Sequence, residues 1–137
     1  MKLRLNAVCI IEKENKILLG QKALGVGPYA GSWLIPGGGV HSEDESIDEA
    51  MARELKEETN LVPKTYERLH FSEDVAELHG ETKRLVFLFY HITDVVNWDE
   101  VKAGDDLVTL KWFSKSELSK IPLPPPSIIL FKKLGWI

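Results

Sequence analysis

The chain has a single cysteine, Cys9, among its 137 residues. One thiol excludes an internal disulfide framework, and its place in the apolar run Ala7–Ile11 reads as a small core side chain in a reducing compartment. Long hydrophobic runs are missing too. The apolar part of the opening MKLRLNAVCII is far too short to span a bilayer, and no cleavable signal is apparent. The expected location is therefore the cytoplasm, with no membrane partner. A basic excess is also absent: 17 Lys and Arg stand against 21 Asp and Glu, a formal net charge of -4. Nothing in that balance suggests electrostatic wrapping around duplex nucleic acid, and no nucleic-acid polymer is expected as a partner. There is no internal repeat, low-complexity tract or linker. The histidines His41, His70, His79 and His91 have no metal-ligand spacing among themselves, so each reads as a structural or surface residue.

What is present is a hydrophobic content of 44%, enough for one compact domain over residues 1–137. Lys2–Glu12 reads as a strand, with Lys16–Lys22 as its hairpin partner across Glu14–Asn15. Lys22, at the strand end, reads either as an exposed lysine or as a contact for a substrate phosphate. Residues 24–32 (LGVGPYAGS) read as a loop of the kind that forms lids, in which Tyr29 stacks on a base or simply anchors the loop. Trp33–Pro36 reads as a short strand ended by proline before a glycine triplet. Strands are also expected at Lys64–Ser72, Lys83–Thr93 (a central one) and Leu107–Phe113, with a hairpin connection at His79-Gly80. Ser114–Glu117 offers an S-x-x-E helix start, and Ser127–Leu134 a terminal helix.

The informative stretch is GGGVHSEDESIDEAMARELKEETNL, Gly37–Leu61. It starts as a glycine turn and becomes a helix, with Ser42 and Glu45 forming an expected capping box. Near the helix end Glu57 and Glu58 follow Glu54 at i+3 and i+4, so the three carboxylates share one surface. Like charges at those spacings repel, and acids in a last turn oppose the helix dipole. The apolar stripe is Ile47, Ala50, Met51 and Leu55, and Glu54 and Glu58 project into it. A purely structural helix would carry Leu or Ala there. Inward carboxylates need a compensating cation, and an all-oxygen set without Cys or His suits Mg²⁺, with Mn²⁺ able to substitute. Arg53, four residues before Glu57, can hold that carboxylate by a charge-assisted hydrogen bond.

These residues resemble the Nudix hydrolase signature G-x5-E-x7-R-E-U-x-E-E-x-G-U, where U is aliphatic. The chain supplies Gly39, Glu45, Arg53, Glu54, Leu55, Glu57, Glu58 and Leu61 in register. Asn60 replaces a glycine at a position that needs a left-handed backbone, which Asn tolerates best after Gly. His41 stands where Glu is common. The resemblance implies an α/β fold, the Nudix α/β/α sandwich with a mixed central sheet, over nearly the whole chain. It also implies hydrolysis of a pyrophosphate bond in a nucleoside diphosphate linked to another moiety. Glu54 and Glu58 would be metal ligands, with Glu57 completing the shell or orienting water, and a glycine carbonyl at Gly37 or Gly38 would join them. Gly39 and Glu45 would organise the loop, and Arg53 would orient the carboxylates.

The general base would be a box glutamate or a later carboxylate. Asp105 and Asp106 are the candidates, against the plain reading of an Ala-Gly-Asp-Asp turn. Some subfamilies carry a proline or tyrosine marker beyond the box. Glu77, Leu78 and His79 occupy those positions, which tilts away from ADP-ribose and dinucleoside polyphosphate hydrolases. The run Pro122–Leu134 resembles the MutT-type segment in which P-P-x-N precedes the last helix and the Asn reads the base. Ser127 takes that place, either contacting substrate or capping the helix. Trp112 and Phe71 are candidate walls for a base, against the plain reading of strand core. The expectation is a metal-dependent MutT-like enzyme, monomer or homodimer, cleaving a nucleoside triphosphate, oxidised or non-standard ones included, to monophosphate and pyrophosphate. The alternatives are a nucleotide-sugar or ADP-ribose hydrolase and a non-catalytic Nudix-fold binding module.

Overall fold

The computed structural model describes residues 1–25 and 29–137. The central part of the expected lid at 24–32 lies outside the described residues. The elements are β1 (Lys2–Lys13), β2 (Lys16–Lys22), β3 (Gly37–Gly39), α1 (Ile47–Thr59), β4 (Pro63–Leu78), β5 (Glu81–Val95), β6 (Leu107–Ser114) and α2 (Pro125–Lys133). Short 3₁₀ turns occupy Trp98–Glu100 and Lys115–Lys120.

Alternation along β1 explains the layering. Ala7, Cys9 and Ile11 pack with Leu18, Tyr90 and Ile92 against Met51 and Leu55 of α1. Val8 and Ile10, pointing the other way, pack with Ile17, Leu19, Phe89 and Phe113 against Leu130 and Phe131 of α2. A strand covered on both faces reads as an unbroken apolar run, which is why AVCII shows no polar alternation. The result is helix on either side of a mixed sheet, the expected α/β/α arrangement. Its order is β4-β5-β1-β2-β6, with β1 and β5 parallel and β3 beside β1.

The sheet is split in a way that makes the site. β1 and β2 pair only next to their hairpin, at Glu12↔Ile17 and Lys13↔Lys16. Beyond that they part, and the segment 34–39 enters the gap. Leu34 exchanges both backbone hydrogen bonds with Gly20 of β2, and Cys9 of β1 donates to the Pro36 carbonyl at 2.8 Å. Gly37, Gly38 and Gly39 then pair with Val8, Ala7 and Asn6.

Four expectations about elements need correction. Trp33–Pro36 makes only a single bridge among the described residues, and the regular short strand is the glycine triplet itself, where a Cβ would meet the β1 backbone at Gly37, Glu54 at Gly38 and Arg4 at Gly39. The helix cap is Ser46 with Glu49, not Ser42 with Glu45: Ser46 Oγ accepts from the Glu49 amide and Glu49 returns a bond to the Ser46 amide. The Ser114–Glu117 box forms but starts a 3₁₀ turn instead of an α-helix. β4 runs on to Leu78, since its partner β5 extends equally far and the His79-Gly80 turn closes the hairpin with positive φ at both residues. Among the described residues no helix is long and apolar enough to cross a membrane.

Asn60 ends α1 in the left-handed region at φ 65°, and its side chain donates to the Glu100 carbonyl at 2.9 Å. Asn60→Ala should therefore cost about 2 kcal/mol, combining left-handed strain with a lost hydrogen bond. Asn60→Gly should cost about 1 kcal/mol, the hydrogen bond alone. Urea denaturation measures both, and equal losses would mean that backbone handedness does not control this helix end.

Candidate active site

Burial forces the chemistry. Glu54 and Glu58 are 6% and 5% exposed, and their helix neighbours Met51 and Leu55 are core. Two devices hold these carboxylates. Glu58 accepts the Gly37 amide at 2.6 Å. Glu54 lies against Gly38, where a Cβ would sit 2.5 Å from its carboxyl carbon, so any other residue at 38 would displace it.

Arg53 is the common partner. Its Nε donates to Glu45 at 2.6 Å, Nη1 to Glu54 at 2.8 Å and to Glu57 at 3.3 Å, and Nη2 to the Gly39 carbonyl at 2.9 Å. Glu45 in turn accepts the His41 amide at 2.9 Å. The role of Glu45 is thus to hold the loop 41–45 to Arg53, and the Arg53 guanidinium with that amide keeps its pKa down at about 2. Sequence reasoning paired Arg53 with Glu57. Its shorter bonds go to Glu45 and Glu54, because the loop folds back over the helix.

The carboxyl-terminal end of α1 presents free carbonyls, and the segment before β6 binds them. Lys102 donates to Thr59 O at 2.9 Å and Gly104 to Glu58 O at 3.1 Å. A Cβ on Gly104 would strike Glu57 O, so glycine is needed for this approach. Asp105 follows at φ 51° and is delivered to the acids: oxygens of Glu54, Glu57 and Asp105 lie within 4.8 Å of one another. The Ala-Gly-Asp-Asp turn and the approach to the carboxylates are therefore both real, since one turn does both. Asp106 is exposed beside it. Lys22 pairs with Leu107 across a bulge, two residues from Asp105.

The nucleoside-side candidates separate. Trp112 packs on Trp98, ring centroids 5.8 Å apart, in the core beneath α1. Ser127 belongs to α2 on the opposite sheet face, so these two cannot wall one base. Ser127 does not cap α2: the cap is Pro124, whose carbonyl accepts the Ser127 amide at 3.0 Å. Ser127 is 7% exposed. Phe71 is exposed on β4. Sequence reasoning did not single out Arg4 and Asn6, which adjoin Gly39. Their signal was available as two polar residues in phase with Val8 and Ile10 on a strand.

Burial raises Glu58 to about 8 despite the Gly37 amide, with the Glu54, Asp105 and Asp106 charges adding to it. Glu54 is raised too, chiefly by burial, with Arg53 opposing. Such a donor set, oxygen only, mutually repelling and partly desolvated, fits a hard divalent cation. An unfolded glutamate titrates near 4.5, so between that value and about 8 the folded chain keeps a proton that the unfolded chain has lost. Stability of the metal-free protein should then fall as pH rises through this window. Glu58→Gln should flatten that fall and raise the melting temperature at pH 8. A variant with the wild-type pH profile would show that Glu58 is not the residue responsible.

Comparison with known proteins agrees with this geometry. Residues 2–134 match the family model described as NUDIX domain. The chain is 38% identical over 121 residues to an ADP-ribose pyrophosphatase of Methanocaldococcus jannaschii, covering 88% of this chain and 67% of the relative. It is 31% identical over 122 residues to the nucleoside triphosphatase NudI of Escherichia coli, covering 81% and 82%. The crystal structure of a MutT NUDIX hydrolase from Burkholderia pseudomallei superposes with a TM-score of 0.82 at 23% identity, covering 96% of this chain and 98% of that one. With its box acids gathered on one helix end and the family model matched along nearly its full length, the chain belongs to the Nudix family of hydrolases, which act on nucleotide-like substrates.

Proposed function

We propose that the protein is a Mg²⁺-dependent pyrophosphohydrolase that cleaves a nucleoside triphosphate to the monophosphate and pyrophosphate. The observation that carries the chemistry is the gathering of Glu54, Glu57 and Asp105 oxygens within 4.8 Å, backed by Arg53. Glu54, Glu57 and Glu58, with the Gly38 carbonyl, would hold the ion, and Mn²⁺ would substitute. When bound, the ion neutralises phosphate oxygens and lowers the pKa of the attacking water.

The chain's own residues do the rest. Arg53 positions Glu54 and Glu57 through hydrogen bonds to both carboxylates. Asp105, which accepts no hydrogen bond from Arg53 among the described residues, takes the proton from the water as the water oxygen bonds to phosphorus and the bond from that phosphorus to the bridging oxygen breaks, the leaving group keeping the electron pair. Lys22, half-buried near Asp105, contacts a phosphate oxygen. Gly39 and Glu45 shape the loop beside them.

Two observations support a triphosphate as substrate: the similarity to a nucleoside triphosphatase and the Pro122–Ser127 run that opens α2. That run is anchored near the glycine strand by the Trp33 amide donating to the Pro122 carbonyl at 2.8 Å. A second reading, hydrolysis of ADP-ribose or a nucleotide sugar, is favoured by the 38% identical relative. The two differ in product. Chromatography of reactions with Mg²⁺ and nucleoside triphosphates, oxidised ones included, should give monophosphate and pyrophosphate. Sugar phosphate from ADP-ribose, with triphosphates untouched, would establish the second reading instead.

Glu58→Gln should keep the fold and lower turnover by about two to four orders of magnitude, about 3–5 kcal/mol of barrier. Steady-state rates near wild type would remove Glu58 from the site. Mg²⁺ should also raise the melting temperature by binding only the folded chain, and Glu54→Gln should blunt that rise. Thermal scans that show no metal effect in either protein would mean the acids hold no ion.

A further inference from the structure

Gly39 lies between two guanidinium groups. On the α1 side, Arg53 donates to its carbonyl at 2.9 Å. On the other face, Arg4 lies across the glycine so closely that a Cβ there would be 3.0 Å from Nη2 and 3.2 Å from Nε. The two cations are in opposite situations. Arg53 is neutralised by Glu45, Glu54 and Glu57, and the other arginines, Arg68 and Arg84, pair with Asp48 and Glu73. Arg4 is the one arginine of the four in no ion pair among the described residues.

Arg4 is nevertheless held. Its Nε donates to Asn6 Oδ1 at 3.2 Å, and Asn6 is 8% exposed, placed in register between Gly39 of β3 and Phe87 of β5. With Nε engaged by Asn6 and Nη2 beside Gly39, the exposed guanidinium keeps Nη donors that no acceptor among the described residues takes. Gly38 and Gly39 point to opposite sheet faces, Gly38 at the Glu54 carboxylate and Gly39 at Arg4. The carboxylates and the fork are thus separated by the thickness of one glycine strand, which pairs with β1 on a single edge. Asn6 shares its sheet face with Val8, Phe89 and α2.

We propose that Arg4, oriented by Asn6, is a substrate-binding residue that donates its Nη groups to oxygen acceptors of the nucleotide on the α2 side of the glycine strand. A guanidinium fork suits two oxygen-rich groups, a phosphate or the keto edge of a base. This contact rests on the nucleotide-hydrolase reading above.

The test is calorimetric binding, with Mg²⁺, of α,β-methylene analogues of ATP, GTP, CTP, UTP and ADP-ribose to the wild-type chain, Arg4→Ala and Arg4→Lys. Arg4→Ala should weaken the best probes by about ten- to a hundredfold, the loss of a charge-assisted pair of hydrogen bonds. Arg4→Lys should recover only part, since an ammonium is a point charge without the fork. Uniform weakening across the bases assigns the contact to phosphate, and weakening confined to the GTP and UTP analogues assigns it to a keto oxygen. A merely structural Arg4 would instead lower the ligand-free melting temperature or abolish the Mn²⁺-induced thermal shift in Arg4→Ala, and that result overturns the proposal. So do dissociation constants within about twofold of wild type. A wild-type protein that binds none of the probes overturns the nucleotide reading itself, and this contact with it.

Discussion

Arg53 is the interaction on which the site depends. Three acids near one helix end would repel one another and oppose the helix dipole, and two of them are buried among core residues. A single guanidinium bonded to Glu45, Glu54, Glu57 and the Gly39 carbonyl offsets that cost without consuming the acids' remaining lone pairs. The same cation ties the loop 41–45, the helix and the glycine strand together. Lysine could not do this, because only a planar fork reaches acceptors in several fixed directions at once. Among the described residues Glu58 accepts the Gly37 amide and no bond from Arg53, and burial raises its pKa.

Around this node the backbone is arranged to leave space where charge must enter. β1 and β2 separate after two residue pairs, and the glycine strand fills the opening without filling its volume. Gly38 admits Glu54 to the strand surface, and Gly104 lets the β6 approach close on the end of α1. The free carbonyls of that helix end are satisfied by the Lys102 and Gly104 amides, so the connection that caps the helix also carries Asp105 to the acids. Helix capping and site assembly are one structural event here.

Charge is divided between the faces. The α1 face gathers carboxylates and one neutralised arginine, and the α2 face presents Arg4 with Asn6 beside Phe87. Ser127 and the proline run bound the second face, whereas Trp112 belongs to the core of the first.

Much of this was legible in the chain itself. The inward acids Glu54 and Glu58 follow from periodicity, which depends on neighbours within one or two turns, while the left-handed Asn60 and the α/β/α layering came from the resemblance to the family signature. Glu45 was not legible as an arginine partner, since Ser42-x-x-Glu45 and Ser46-x-x-Glu49 satisfy the same capping pattern and only the fold selects between them. The joining of Asp105 to the distant Glu54 and Glu57 was likewise open, because it rests on amides of 102 and 104 meeting helix carbonyls. Trp112 and Ser127 looked alike as base contacts until the sheet put them on opposite faces. The sequence by itself determined which residues carry charge into the interior, because a carboxylate on an apolar stripe is a local contradiction. Only the tertiary structure decided which distant groups resolve it, because hydrogen bonds across a split sheet depend on where the strands part.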